Sequence, residues 1–72
     1  MKEVKAKDFY VPMDKLRLMR LKKRLTMRDL SKKANVAVSS ICSYENGQSK
    51  PQQAKLKAIA NALGCSVEEI VE

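Results

Sequence analysis

Histidine and tryptophan are absent from this 72-residue sequence, which has one Phe, two Tyr, two Gly, two Pro and two Cys. Without histidine, Cys42 and Cys65 cannot complete the ligand set of a zinc site. A convergent catalytic set is equally hard to assemble, because the thiols are isolated and Glu68-Glu69 is the sole pair of adjacent carboxylates. Those two acids read more simply as first-turn charges of a short helix. No catalytic residue, metal or cofactor is therefore expected. So few glycines and prolines leave little room for a turn-rich β sandwich, and the ordinary alternative is a small helical bundle. No apolar run approaches the roughly 18 residues of a membrane span, and no signal-type apolar segment stands at the N-terminus. No membrane association is expected, and the expected location is cytoplasmic. A disulfide is possible on count alone, but a cytosolic chain keeps both thiols reduced. Cys65 is expected in or near a core and Cys42 partly exposed.

What the sequence does have is positive charge. Fifteen Lys and Arg against eight Asp and Glu give a net charge of +7 and a pI near 9.7, which favours a polyanionic partner. Residues 1–24 carry nine basic against three acidic side chains, 25–57 carry six against two, and 58–72 carry none against three. Basic charge surrounds the middle of the chain and the C-terminal end is acidic. Apolar residues make up 44% of the total, mostly Leu, Ile, Val, Met and Ala, so a single small domain with a modest core is expected.

The middle also holds the most informative stretch, Ala34 to Gly47. Just before it, Thr26-Met27-Arg28-Asp29 reads as a capping box that opens a helix to about Lys33, with Leu30 and Ala34 on its apolar side. Asn35 occupies the next turn, where a left-handed residue is often needed. Val36 and Ile41 are spaced as a hydrophobic staple across the start of a second helix, about Val38 to Glu45. Ala37 is a poor N-cap for it, and Gly47 supplies the positive φ that ends it. Two short helices joined at Asn35 in a basic chain suggest a helix-turn-helix.

The flanking segments read as scaffold. Pro12 is expected as the first helical position of a helix running to about Lys23. Leu16 and Met19 lie on one of its faces, Leu18 and Leu21 on roughly the opposite one. Both faces need cover, from Phe9, Tyr10 and Val11 of a charged basic arm over residues 1–11 or from a second subunit. Residues 1–6 of that arm are expected to be disordered. A fourth helix, from Gln52 or Gln53 to Leu63, keeps Leu56, Ile59, Ala60 and Leu63 on one side and closes at Gly64. Ser66-Val67-Glu68-Glu69 is a second capping box, opening a last short helix to about Val71 that carries Ile70 inward. The expected fold is all-α, a compact bundle of five short helices over residues 12–72 with the helix-turn-helix in helices 2 and 3.

Taken in order, Leu25-Thr26, Leu30, Ala34, Val36, Ile41, Tyr44-Glu45-Asn46-Gly47, Pro51, Leu56, Ile59-Ala60, Ala62-Leu63-Gly64 and Ser66-Val67 resemble the phage-repressor family. These are the Cro/CI-like, XRE-type helix-turn-helix proteins, and the likeness covers about residues 13–72. The resemblance implies a lambda-repressor-like domain that binds double-stranded DNA as a homodimer at an inverted-repeat operator, with the N-terminal part of helix 3 in the major groove. It places Val38, Ser39 and Ser43, with Cys42 beside them, where base edges are read. Val38 suits a thymine methyl and the serines suit several bases. None is an Arg or Gln able to contact a base bidentately. Thr26 and Met27 with Arg28 nearby, Ser40, and Gln48, Ser49 and Lys50 fall at phosphate-contacting positions. Met27 departs from the usual Gln, which removes a side-chain contact and leaves a backbone donor. Arg20 and Glu45 match a salt bridge between helix 1 and the end of helix 3 that would orient the recognition helix.

On this reading the chain is a homodimeric transcriptional regulator, and a repressor rather than an activator because occupying a promoter needs only binding. Its dimer surface is expected near helix 5, at Val67, Ile70 and Val71, with the Leu18/Leu21 face as second choice. The rival reading is an antitoxin-like interaction regulator of the same fold, whose primary target is a protein partner or antirepressor. The weak base readers and the surplus apolar Leu18 and Leu21 favour that rival; the basic surround does not.

Overall fold

The computed structural model describes residues 11–71. Among the described residues four α-helices, α1 (Asp14–Lys22), α2 (Met27–Ala34), α3 (Val38–Asn46) and α4 (Gln53–Leu63), precede a 3-10 turn at Val67–Glu69. No strand is present among the described residues. The expected arm over residues 1–11 lies, Val11 apart, outside them. α2 lies against α3 and α4, while α1 lies against α3 and against the 3-10 turn, which also rests on α4.

All four α-helices stop in the same way. A residue in the left-handed region follows the helix, and the next backbone N–H reaches back five positions. Leu25 donates to the Arg20 carbonyl (3.0 Å), Val36 to Ser31 (3.2 Å), Gln48 to Ser43 (2.8 Å) and Cys65 to Ala60 (3.0 Å). These bonds satisfy last-turn carbonyls that the helix leaves open. The left-handed residues are Arg24 (φ 59°), Asn35 (φ 58°), Gly47 (φ 79°) and Gly64 (φ 72°). Both glycines of the chain are thus used as helix stops. Asparagine tolerates the conformation, whereas an arginine carries a cost of about 1–2 kcal/mol there.

Helix starts are set by different means. Thr26 and Asp29 form the expected capping box, each side chain accepting from the other's backbone N–H at 3.0 Å. α3 has no side-chain cap at Ala37; instead Val36 and Ile41 are both buried in the core on either side of its start. The expected start of α1 at Pro12 is corrected by the structure. The helix begins at Asp14 because the Met13 N–H donates to the Tyr44 carbonyl at the end of α3 (3.2 Å) and its side chain is buried. That tertiary bond holds Met13 at the cap and leaves Pro12 outside.

The fifth helix is shorter than expected. The Glu69 carboxylate accepts from the Ser66 N–H (3.0 Å) and hydroxyl (3.2 Å), so the local start signal is in place. Propagation fails because Ile70 leaves helical backbone geometry (φ −120°) to bury its side chain completely, and so short a helix has little to offset its nucleation cost.

Leu16, Leu30, Ile41, Ile59 and Ile70 have no exposed surface and come from the four α-helices and from the residue that follows the 3-10 turn. Cys65 packs against this core in half-buried form, while Leu18 (64% exposed) and Leu21 (55%) stay in solvent on the outer face of α1. Burying an aliphatic side chain contributes about 1.5–3 kcal/mol. Ile41→Ala should therefore cost about 2–5 kcal/mol with its cavity, read as a lower midpoint in chemical denaturation followed by far-UV circular dichroism. A loss below about 1 kcal/mol would mean that α3 is held by something other than this core.

Candidate nucleic-acid interface

α2 and α3 are joined by the three residues Asn35, Val36 and Ala37, and the left-handed Asn35 turns one helix onto the other. α3 then has two distinct sides. Ile41, Tyr44 and Glu45 are buried. Val38 (40% exposed), Ser39 and Asn46 are in solvent, with Ser40, Cys42 and Ser43 half-buried between them. The outward side carries short, uncharged side chains, which suit insertion into a groove between two charged strands.

The inward side is fixed by an ion pair. Glu45 has no exposed surface and receives Arg20 bidentately, Nε to Oε2 at 2.7 Å and Nη2 to Oε1 at 3.0 Å. Arg20 is itself buried, and hydrogen bonding to Glu45 holds its guanidinium pKa above the ordinary value. Its third nitrogen, Nη1, donates to the Leu25 carbonyl at 3.0 Å. One guanidinium therefore joins α1, the turn before α2, and the end of α3.

Arg17 extends the network, and the sequence reading missed it. Its Nε lies 3.5 Å from Glu45 Oε1, and Nη2 donates to Asn46 Oδ1 at 3.3 Å. The Asn46 amide in turn donates to Cys42 Sγ at 3.3 Å. An available signal was the three-residue spacing of Arg17 and Arg20, which puts both on the same helix face. Asn46 is outward-facing, but its amide is engaged on both sides.

The residues expected near phosphates fall at two places. At the start of α2, the Thr26 N–H and hydroxyl are committed to the box with Asp29. The backbone donors of Met27 and Arg28 have no acceptor among the described residues, and the Arg28 side chain is exposed. The Asp29 carboxylate stays charged well into acid: donation from the Thr26 N–H, and then from its side chain, lowers its pKa. A negative charge thus stands inside the turn where a phosphate would approach. At the loop after α3, the Gln48 and Ser49 N–H groups turn back onto the Ser43 carbonyl (2.8 and 3.4 Å), so only side chains are presented. Gln48 and Lys50 are exposed and Ser49 half-buried.

No helix among the described residues is long and apolar enough to cross a membrane, and no group of three or more His, Cys, Asp or Glu among them could hold a metal ion. A helix-turn-helix family model, HTH_3, matches residues 16–70, from the third residue of α1 through the 3-10 turn. No curated protein matches the chain.

Two outcomes follow from this geometry. Glu45→Ala leaves two guanidinium groups facing an emptied interior position and should cost about 3–5 kcal/mol in urea denaturation, against under about 1 kcal/mol if the pair behaved as a surface bridge. Asp29 and Glu69 have pKa values below their ordinary 3.8 and 4.5, because the N–H groups of Thr26 and Ser66 donate to the charged forms. A lowered folded-state pKa adds stability above the unfolded value, and that stability is lost as pH falls through the folded one. The melting temperature should therefore drop as pH falls from about 5 towards 2, and the drop should shrink in the Asp29→Asn, Glu69→Gln double variant.

Proposed function

The chain belongs to the XRE-type, Cro/CI-like helix-turn-helix family of DNA-binding transcription regulators, and on that premise we propose that it is a cytoplasmic repressor. It binds an inverted-repeat operator as a homodimer, with the outward side of α3 in the major groove. It acts by occupying DNA and not as an enzyme. The observation that carries this reading is the contrast across α3: an outer side of small, uncharged side chains, in a chain that exposes Arg28 in the first turn of α2 and Lys50 in the loop after α3, and an inner side pinned by a buried ion pair. Cations at the rim attract the backbone, and small side chains at the centre allow close approach.

Val38, Ser39, Cys42 and Ser43 are the proposed base contacts. Met27, Arg28, Gln48, Ser49 and Lys50 are the proposed phosphate contacts, with Thr26 and Ser40 beside them. Thr26 also holds the helix start in place through its box with Asp29. Without a bidentate reader, sequence preference is expected to come partly from groove shape and deformability. Ile70 is excluded from the dimer surface by its complete burial. Val71 (38% exposed) and the partly buried Val67 remain near it.

A second reading is favoured by one observation, the exposure of Leu18 and Leu21 on α1. An apolar pair in solvent suits a protein partner or antirepressor, with DNA binding secondary.

The double charge reversal Arg28→Glu, Lys50→Glu separates these readings. Removing about two phosphate contacts should weaken duplex binding by about thirtyfold or more at 0.15 M salt, with the circular dichroism spectrum unchanged. Unaltered DNA affinity in fluorescence anisotropy would remove the phosphate contacts and move the protein-partner reading to first place.

A further inference from the structure

Lys22, Lys23 and Arg24 form a run of three exposed cations from the last residue of α1 into the turn before α2. Lys23 and Lys22 lie close enough to Glu69 to help lower its pKa. Arg24 takes no part in that pairing, and its guanidinium makes no hydrogen bond or ion pair among the described residues. It also sits at a helix stop (φ 59°) that glycine fills without strain. The chain therefore keeps a long cationic side chain at a strained position where no described residue pairs with it. Backbone strain of this kind concentrates at functional sites.

The position is also rigidly placed. Leu25, the next residue, is held at both backbone groups by Arg20: its N–H donates to the Arg20 carbonyl (3.0 Å) and its carbonyl accepts from Arg20 Nη1 (3.0 Å). Arg20 is bound bidentately to Glu45 on α3. One residue beyond Leu25, Thr26 is locked to Asp29. The backbone of Arg24 is therefore in fixed register with α3, three residues ahead of the first residue of α2. With Arg28 exposed in the first turn of α2, a pair of cations brackets that start.

We propose that Arg24 is a DNA-backbone contact, gripping a phosphodiester beside the one that approaches α2. The assignment rests on the DNA-binding reading above. The Asp29 carboxylate opposes a phosphate at the α2 start, and Arg24 supplies an offsetting cation from outside the capping box. A guanidinium suits this task because its planar fork meets phosphate oxygens with two parallel donors. Contact of this kind carries no sequence information and should strengthen binding to any duplex.

The test is the salt dependence of binding to a random-sequence duplex, measured for the wild-type chain and for Arg24→Gln, Arg24→Gly and Arg24→Lys. Losing one phosphate contact lowers the slope of log K against log salt by about 0.9 for each subunit bound, equivalent to about fivefold weaker binding at 0.15 M salt when referred to 1 M. Arg24→Gln and Arg24→Gly should both show this loss, and Arg24→Lys should keep most of the slope. Thermal melts give the second readout. Arg24→Gly should melt a few degrees higher because the left-handed strain is relieved, so its weaker binding cannot be ascribed to unfolding. Parallel salt lines for wild type and Arg24→Gln would overturn the assignment of Arg24 alone. Absence of duplex binding by the wild-type chain would overturn the DNA-binding reading and this inference with it.

Discussion

The buried pair between Arg20 and Glu45 is the interaction on which the rest of the structure depends. Glu45 has no exposed surface and Arg20 is also buried, so neither charge has water to fall back on. Moving such groups out of solvent is expensive, and the expense is offset only when every hydrogen-bonding position is filled. That condition holds: both Glu45 oxygens have donors, Arg20 uses all three nitrogens, and no buried side-chain polar atom among the described residues lacks a partner. A pair of this kind constrains geometry more than it adds stability. It holds one end of α3 to α1 and, through Leu25, to the turn that precedes α2.

α3 needs that constraint. It is nine residues long, has no side-chain N-cap and has no charge in its first turn. Alone in water a helix of this length is marginal. Its start is held by Val36 and Ile41 in the core, and its end by Glu45, Gly47 and the Met13 N–H on the Tyr44 carbonyl. Fixing both ends frees the outward side from any stabilising duty. Small residues such as Ser39 and Ser43 can then occupy it without loss of fold. The same freedom leaves short side chains on that side, and the one amide there, on Asn46, is engaged by Arg17 and Cys42.

Much of the fold was legible because its signals are local. The Thr26/Asp29 box, the left-handed Asn35, the stops at Gly47 and Gly64, and the spacing of Ile59, Ala60 and Leu63 each depend on residues within one or two turns. The departures have long-range causes. α1 starts at Asp14 because Met13 is drawn to α3, a contact between residues far apart in the chain. The last helix is only a 3-10 turn because Ile70 enters a core built by other elements. Arg24 adopts a positive φ because Arg20 clamps the residue after it, which no pattern around Arg24 announces. The candidate site divides along the same line. The outward order along α3 follows from helix periodicity. The engagement of Thr26 with Asp29, and of the Gln48 and Ser49 N–H groups with Ser43, follows from hydrogen bonds that reduce the free donors to Met27 and Arg28.

A pinned recognition helix is expected to select particular DNA sequences. Selection from a randomised duplex pool near physiological salt, followed by sequencing of the retained fraction, tests it most directly. The account predicts enrichment of an inverted repeat with half-sites about one helical turn apart. Retention without enrichment, lost steeply as salt rises, would contradict it, because phosphate attraction alone would then account for binding.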